Sequence, residues 1–127
     1  MIANFPYIIS QLVQPFNLLL MIVGTAIGII FGAIPGLSGT LAVMLFMPLT
    51  YSMNSGTAVI FLLALWIGGC SGAFIGSVLL GIPGSASAVS TCWDGYPMSQ
   101  QGKSGKALAI GMFASFTGTF FSAIIAA

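Results

Sequence analysis

Two short stretches of this sequence place hydroxyl groups directly behind a proline–glycine pair. The first is Pro35-Gly36-Leu37-Ser38-Gly39-Thr40. The second is Pro83-Gly84-Ser85-Ala86-Ser87, with Ser90 and Thr91 one turn further on. Proline lacks an amide hydrogen and disfavours helix in the residue before it. Glycine beside it permits an unusual turn. Each pair is therefore predicted to end one helix, and the hydroxyls stand where the next begins. A helix start exposes free N–H groups and carries a partial positive charge, so it holds an anion without help from Lys or Arg. Serine at such a position also serves as an N-cap. Both roles, cap and anion ligand, are open to these residues on sequence alone.

Little other chemistry is on offer. The formal charges are Asp94, Lys103 and Lys106, and there is no histidine. The commonest general base and the commonest metal ligand are thus both missing. One carboxylate makes no acid–base pair. Cys70 and Cys92 make neither a metal site nor a disulfide framework. An enzyme is not expected, and no cofactor or metal site is predicted. With no basic patch interleaved with aromatics, nucleic-acid binding is excluded as well.

The elements that must position the two motifs are membrane helices. Hydrophobic residues make up 58% of the 127 positions and charged residues 2%, against roughly 25% charged in a soluble domain. Four apolar stretches run from Phe16 to Ile34, Leu41 to Met53, Thr57 to Ile82 and Ala107 to Ala127. The first, third and fourth are long enough for a hydrocarbon core of about 30 Å. The second is short and contains Pro48, so it either re-enters or barely spans. The fold class expected is an all-α integral membrane protein, a bundle of transmembrane helices broken or re-entrant at the two Pro-Gly motifs. Residues 1–15 are expected to form an interfacial segment with Phe5 and Tyr7 at the headgroups. Residues 16–127 are expected to form the N-terminal part of a transmembrane domain. The apolar run reaches the last residue without a polar cap, which predicts a truncated chain.

Glycines line these stretches at intervals of four: Gly24, Gly28 and Gly32 in the first, Gly68, Gly72 and Gly76 in the third. Residues four apart drift only about 40° around a helix, so each row forms one groove. In lipid, helices associate through close packing, which small residues permit. A similar row, Gly111, Ser115, Thr119 and Ala123, marks the fourth stretch. Plain helix packing accounts for the rows themselves. Paired interrupted helices point further, to the binding site of a transporter.

The pattern Gly24-x3-Gly28-x3-Gly32-x2-Pro35-Gly36 resembles the glycine–proline signature of the large membrane subunit of tripartite tricarboxylate transporters. The stretch GIPGSASAVSTCWDGYPMSQQGKSGKALAIG, residues 81–111, is similar to that family's next hallmark. The resemblance implies a bacterial inner-membrane protein, several times longer than this chain. It also implies a small membrane subunit and a periplasmic solute-binding protein as partners. The cargo it implies is a tricarboxylate or related carboxylate, taken up with a cation gradient.

On this reading Pro35, Gly36, Ser38, Gly39 and Thr40 face Pro83, Gly84, Ser85 and Ser87 near the bilayer midplane, and their helix starts and hydroxyls hold the substrate carboxylates. No Asp, Glu, His, Lys or Arg lies between Phe16 and Ile82, whereas intramembrane proton relays normally need such a group. Unwound backbone carbonyls hold sodium, so sodium is the coupling ion expected. The rival reading is a non-transporting membrane scaffold or small channel, which needs packed glycine helices but no pair of hydroxyl-bearing breaks. Asp94 is expected to cap the 92–107 loop or pair with Lys103 or Lys106.

The two lysines place the 92–107 loop in the cytoplasm by the positive-inside rule, so the third stretch runs from outside to inside. The side of the N-terminus depends on whether the second stretch crosses. Cysteine introduced at Ser104, in a chain whose own two cysteines are serine, should react with a membrane-impermeant thiol reagent only when the inner face is exposed. Labelling of intact spheroplasts from outside would reverse this topology.

Overall fold

The computed structural model describes residues 9, 10 and 12–126. Of the interfacial segment expected at residues 1–15, residues 1–8 and 11 lie outside them, so Phe5 and Tyr7 do too. From Pro15 onward the described residues form, in order, α1 Pro15–Ala33, α2 Gly39–Thr50, α3 Ser55–Leu80, α4 Val89–Gln100 and α5 Ser104–Ala126, with a 3₁₀ turn, Ala86–Ala88, leading into α4. No strand occurs among the described residues. Helices α1, α3 and α5 are each long and apolar enough to cross a membrane. Their outer faces carry large apolar side chains in the open, among them Leu19, Ile22, Trp66, Phe113 and Ile125. Such a surface suits lipid and not water, and the protein is an all-α membrane bundle.

α1 and α3 lie side by side and run in the same direction. Asn17 meets Thr57 at one end, where the Thr57 hydroxyl donates to Asn17 Oδ1 at 3.1 Å. Along the seam, a β-carbon placed on Gly24 would sit 3.2 Å from Phe61 and Ala64. One on Gly28 would collide with the Leu65 carbonyl, and one on Gly32 with the Gly69 carbonyl. From the other side, Gly68 lies against the Thr25 carbonyl and Gly72 against the Ile29 carbonyl, while Gly76 faces Ala33. The glycines of both rows therefore face the partner helix, and the two backbones touch along the second half of α1, from Gly24 to Ala33. Dispersion over a contact this close is what holds helices together where no hydrophobic drive exists.

α2 returns against this pair. It has 12 residues, about 18 Å of helix, so it covers about half a bilayer core. It begins where Gly39 meets Gly69, near the middle of α3, and descends toward the start of α3. Phe46 joins it to both neighbours, edge-on to Phe31 at 6.1 Å and to Phe61 at 6.2 Å between ring centres. Ala42, Phe61 and Leu65 form the buried cluster beneath. The backbone turns at Gly36, whose φ of +90° lies in the left-handed region that side chains avoid. Ser38 then caps α2, its Oγ accepting from the Leu41 N–H at 3.2 Å.

The segment expected as a loop over residues 92–107 is mostly helix. α4 runs through Asp94, Gly95 and Pro97 to Gln100, and only residues 101–103 turn before α5. Polar residues, a glycine and a proline read as a loop in isolation. Packing decides otherwise: Gly95 lies 2.9 Å (for an added β-carbon) from Val78, and the Tyr96 ring lies equally close over Gly81. Both contacts draw the segment along α3 and favour helix despite Pro97.

Two outcomes test this packing. Leucine at Gly32 has no space against the Gly69 carbonyl, so Gly32→Leu should abolish assembled protein in membranes, measured as monodisperse protein after mild detergent extraction. Nothing lies within 4 Å of a β-carbon added at Gly118, and Gly118→Leu should assemble as the parent does. Ser38→Ala should lower stability by about 1 kcal/mol through loss of the α2 cap, read as a lower midpoint of thermal unfolding in detergent.

Candidate hydroxyl-lined recess at mid-depth

The second proline–glycine motif turns the chain back into the bundle. α3 ends at Gly81, with φ +68° in the left-handed region, and the backbone then doubles back along it. Gly84 comes to rest against Ala73 and the Gly32 carbonyl, 3.2 and 2.8 Å from an added β-carbon. Ala73 stands seven residues before the end of α3, about 10 Å back along its axis. The 3₁₀ turn and α4 then climb beside α3, regaining the level of Gly81 at Tyr96. Residues 81–100 thus make a hairpin of one extended and one helical limb, with its tip near the midpoint of α3.

A recess of about 550 Å³ opens at that tip, between α3, the hairpin and α5. Six hydroxyls line it: Ser71 from α3, Ser85, Ser87 and Thr91 from the hairpin, Ser115 and Thr119 from α5. Trp66, Phe74 and Met112 supply apolar wall, and the Cys70 thiol also faces it. No charged side chain lines it. Ser85 and Ser87 lie with their hydroxyls 3.1 Å apart. Neither Ser85, before the 3₁₀ turn, nor Ala88, before α4, caps its helix start with a side chain. The first amides of the hairpin helix therefore have no side-chain acceptor, and the recess lies at that start.

The first motif is built differently. Ser38 is taken up in capping α2, Gly39 is buried against Gly69, and Pro35, Gly36 and Thr40 are exposed. None of these five lines the recess. The two motifs do come close through Gly32, since Gly84 touches the carbonyl three residues before Pro35. Pro83 and Gly84 shape the hairpin's extended limb and leave the lining to Ser85 and Ser87.

Ser71, Ser115 and Thr119 were not legible as site residues. Ser115 and Thr119 belong to a small-residue row that reads as packing, yet they sit on the recess wall while Gly111 of the same row seats the Phe74 ring. The available signal was that this row carries hydroxyls where the α1 and α3 rows carry glycine. Asp94 lies on the wall of a smaller recess of about 290 Å³ nearer the lysine turn.

No solved structure matches the chain. It is 29% identical over 116 residues, 91% of its length, to an uncharacterized 52.8 kDa protein in the TAR-I ttuC' 3'region of Agrobacterium vitis. It spans 23% of that relative. The description of the tripartite tricarboxylate transporter TctA family matches residues 18–127, which takes in α1 from its second turn, all of α2 to α5 and both proline–glycine motifs. The chain belongs to the tripartite tricarboxylate transporter TctA family.

Proposed function

We propose that this chain forms part of the membrane-spanning subunit of a secondary active transporter in the bacterial inner membrane. It takes up tricarboxylates or related carboxylates, together with a small membrane subunit and a periplasmic solute-binding protein. The observation that carries the reading is the uncapped start of the hairpin helix opening into a hydroxyl-lined recess at the middle of the bundle. Its volume of about 550 Å³ falls within the range usual for small-molecule sites, about 300–1,000 Å³.

The chemistry follows from the lining. A carboxylate accepts hydrogen bonds only, and the hairpin presents hydroxyl donors at its helix start: Ser85, Ser87 and Thr91. The helix start adds a partial positive charge. The site thereby attracts an anion without carrying a full charge of its own, which a membrane interior would penalise. An anion held by dipoles is also released more readily than one paired with Arg or Lys, as a transport cycle requires. In this account Ser38 acts as a cap, and the first motif holds α2 at the level of the recess. Sodium is the coupling ion, held by the carbonyls of the non-helical segments at residues 34–38 and 81–85.

Binding and uptake by the complete transporter test both parts. Ser85→Ala and Ser87→Ala should each weaken carboxylate binding by about 1–3 kcal/mol, because a buried acceptor loses its donor. Asp94→Asn, in the other recess, should change affinity far less. Uptake into membrane vesicles, with sodium and proton gradients imposed separately, should follow sodium. Unaltered affinity in both serine variants, with full uptake in the absence of sodium, would overturn the assignment.

A further inference from the structure

The two recesses beside α3 share two wall residues, Phe74 and Thr91. On each of three elements the division falls at the same level. Along α3, Cys70 and Ser71 line the mid-depth recess, Val78 lines the smaller one, and Phe74 lies between and lines both. Along the hairpin the change comes around Thr91, which lines both, with Ser87 of the 3₁₀ turn on one side and Asp94 of α4 on the other. Along α5 it comes between Met112 and Gly111. The smaller recess thus continues the larger one toward the α4–α5 turn that carries the lysines, and a single aromatic ring stands between them.

That ring is held by α5. A β-carbon on Gly111 would collide with Phe74 Cζ and lie 2.6 Å from Cε2. The ring therefore bridges α3 and α5 by lying flush on a glycine, and any larger residue at 111 would displace it. Most of the α5 surface is exposed, so this seat is one of the few places where α5 closes on α3.

From this we infer that Phe74, seated on Gly111, is the inner gate of a path from the hydroxyl-lined recess to the cytoplasmic end of the bundle. An apolar ring in a narrow passage excludes water and polar solutes until it turns away. The wall on its inner side, with Asp94, Ser90 and Met98, would meet the solute after release. The purpose of the gate rests on the transport reading above, whereas its position rests on the shared walls alone.

Cys70 lines the outer of the two recesses and serves as a built-in reporter. The test uses the full-length membrane subunit with Cys70 as its sole cysteine, in inside-out vesicles, labelled with a sulfonated, membrane-impermeant maleimide. Cys70 should react slowly from the inner face. Phe74→Ala should raise that rate about tenfold or more, and Gly111→Ala, which pushes the ring from its seat, should raise it too. Labelling from the outer face should change in neither. If the inner-face rate is the same in the parent and in both variants, Phe74 is not the gate. Protection of Cys70 by added citrate is read separately. Its absence would count against the binding site and leave the gate result standing.

Discussion

Everything in this bundle hangs on the contact between the backbones of α1 and α3. Side chains ordinarily hold helix axes about 8–10 Å apart. Glycine at 24, 28 and 32 on one side, and at 68, 72 and 76 on the other, removes that spacer. Carbonyls of Thr25, Ile29, Leu65 and Gly69 then face the glycines directly. In lipid, where apolar side chains gain nothing by leaving their solvent, a continuous close seam is the strongest association available to uncharged helices. The Asn17–Thr57 hydrogen bond adds a register mark at one end, where a polar pair slipped out of alignment would be left unsatisfied.

The seam also sets the depth of the candidate site. Because α1 ends beside Ala33 and Gly76, the chain that follows must come back along α3, and it does so by placing Gly39 on Gly69. The hairpin tip uses the same backbone surface from the other direction, with Gly84 on Gly32 and Ala73. Two non-helical segments therefore meet the paired helices close to the middle of the 26-residue α3. Irregular backbone is tolerated at that depth only where protein or a polar cavity satisfies it. Ser38 satisfies the first segment locally by capping. The second has no side-chain cap at its helix start and faces a ring of hydroxyls, and this difference is what separates a structural turn from a candidate binding site.

Much of this was legible in the residues. A nearly uncharged chain, glycine rows of period four and proline–glycine pairs with hydroxyls behind them point to a membrane bundle, and the family resemblance rests on the same residues. The limits of α1 and α3 agree with the apolar stretches to within two residues. Long-range pairing was not legible. Nothing local says that α1 and α3 run parallel, or that Gly39 and Gly69 meet. Residues 92–100 look like a loop because Asp94, Gly95 and Pro97 all favour turns. Their helix depends on Val78 and Gly81, which lie more than ten residues away along the chain. The roles of Ser115, Thr119 and Phe74 likewise depend on where α5 docks, which short-range periodicity does not encode.

The central claim is that α1 and α3 pair in parallel through their glycine seam, and disulfide trapping tests it directly. Cysteines are introduced at Asn17 and Thr57 in an otherwise cysteine-free full-length subunit and oxidised in native membranes. The parallel seam predicts near-complete cross-linking of Asn17→Cys with Thr57→Cys and none of Asn17→Cys with Ser77→Cys, at the far end of α3. Cross-linking to position 77 with none to position 57 would contradict it.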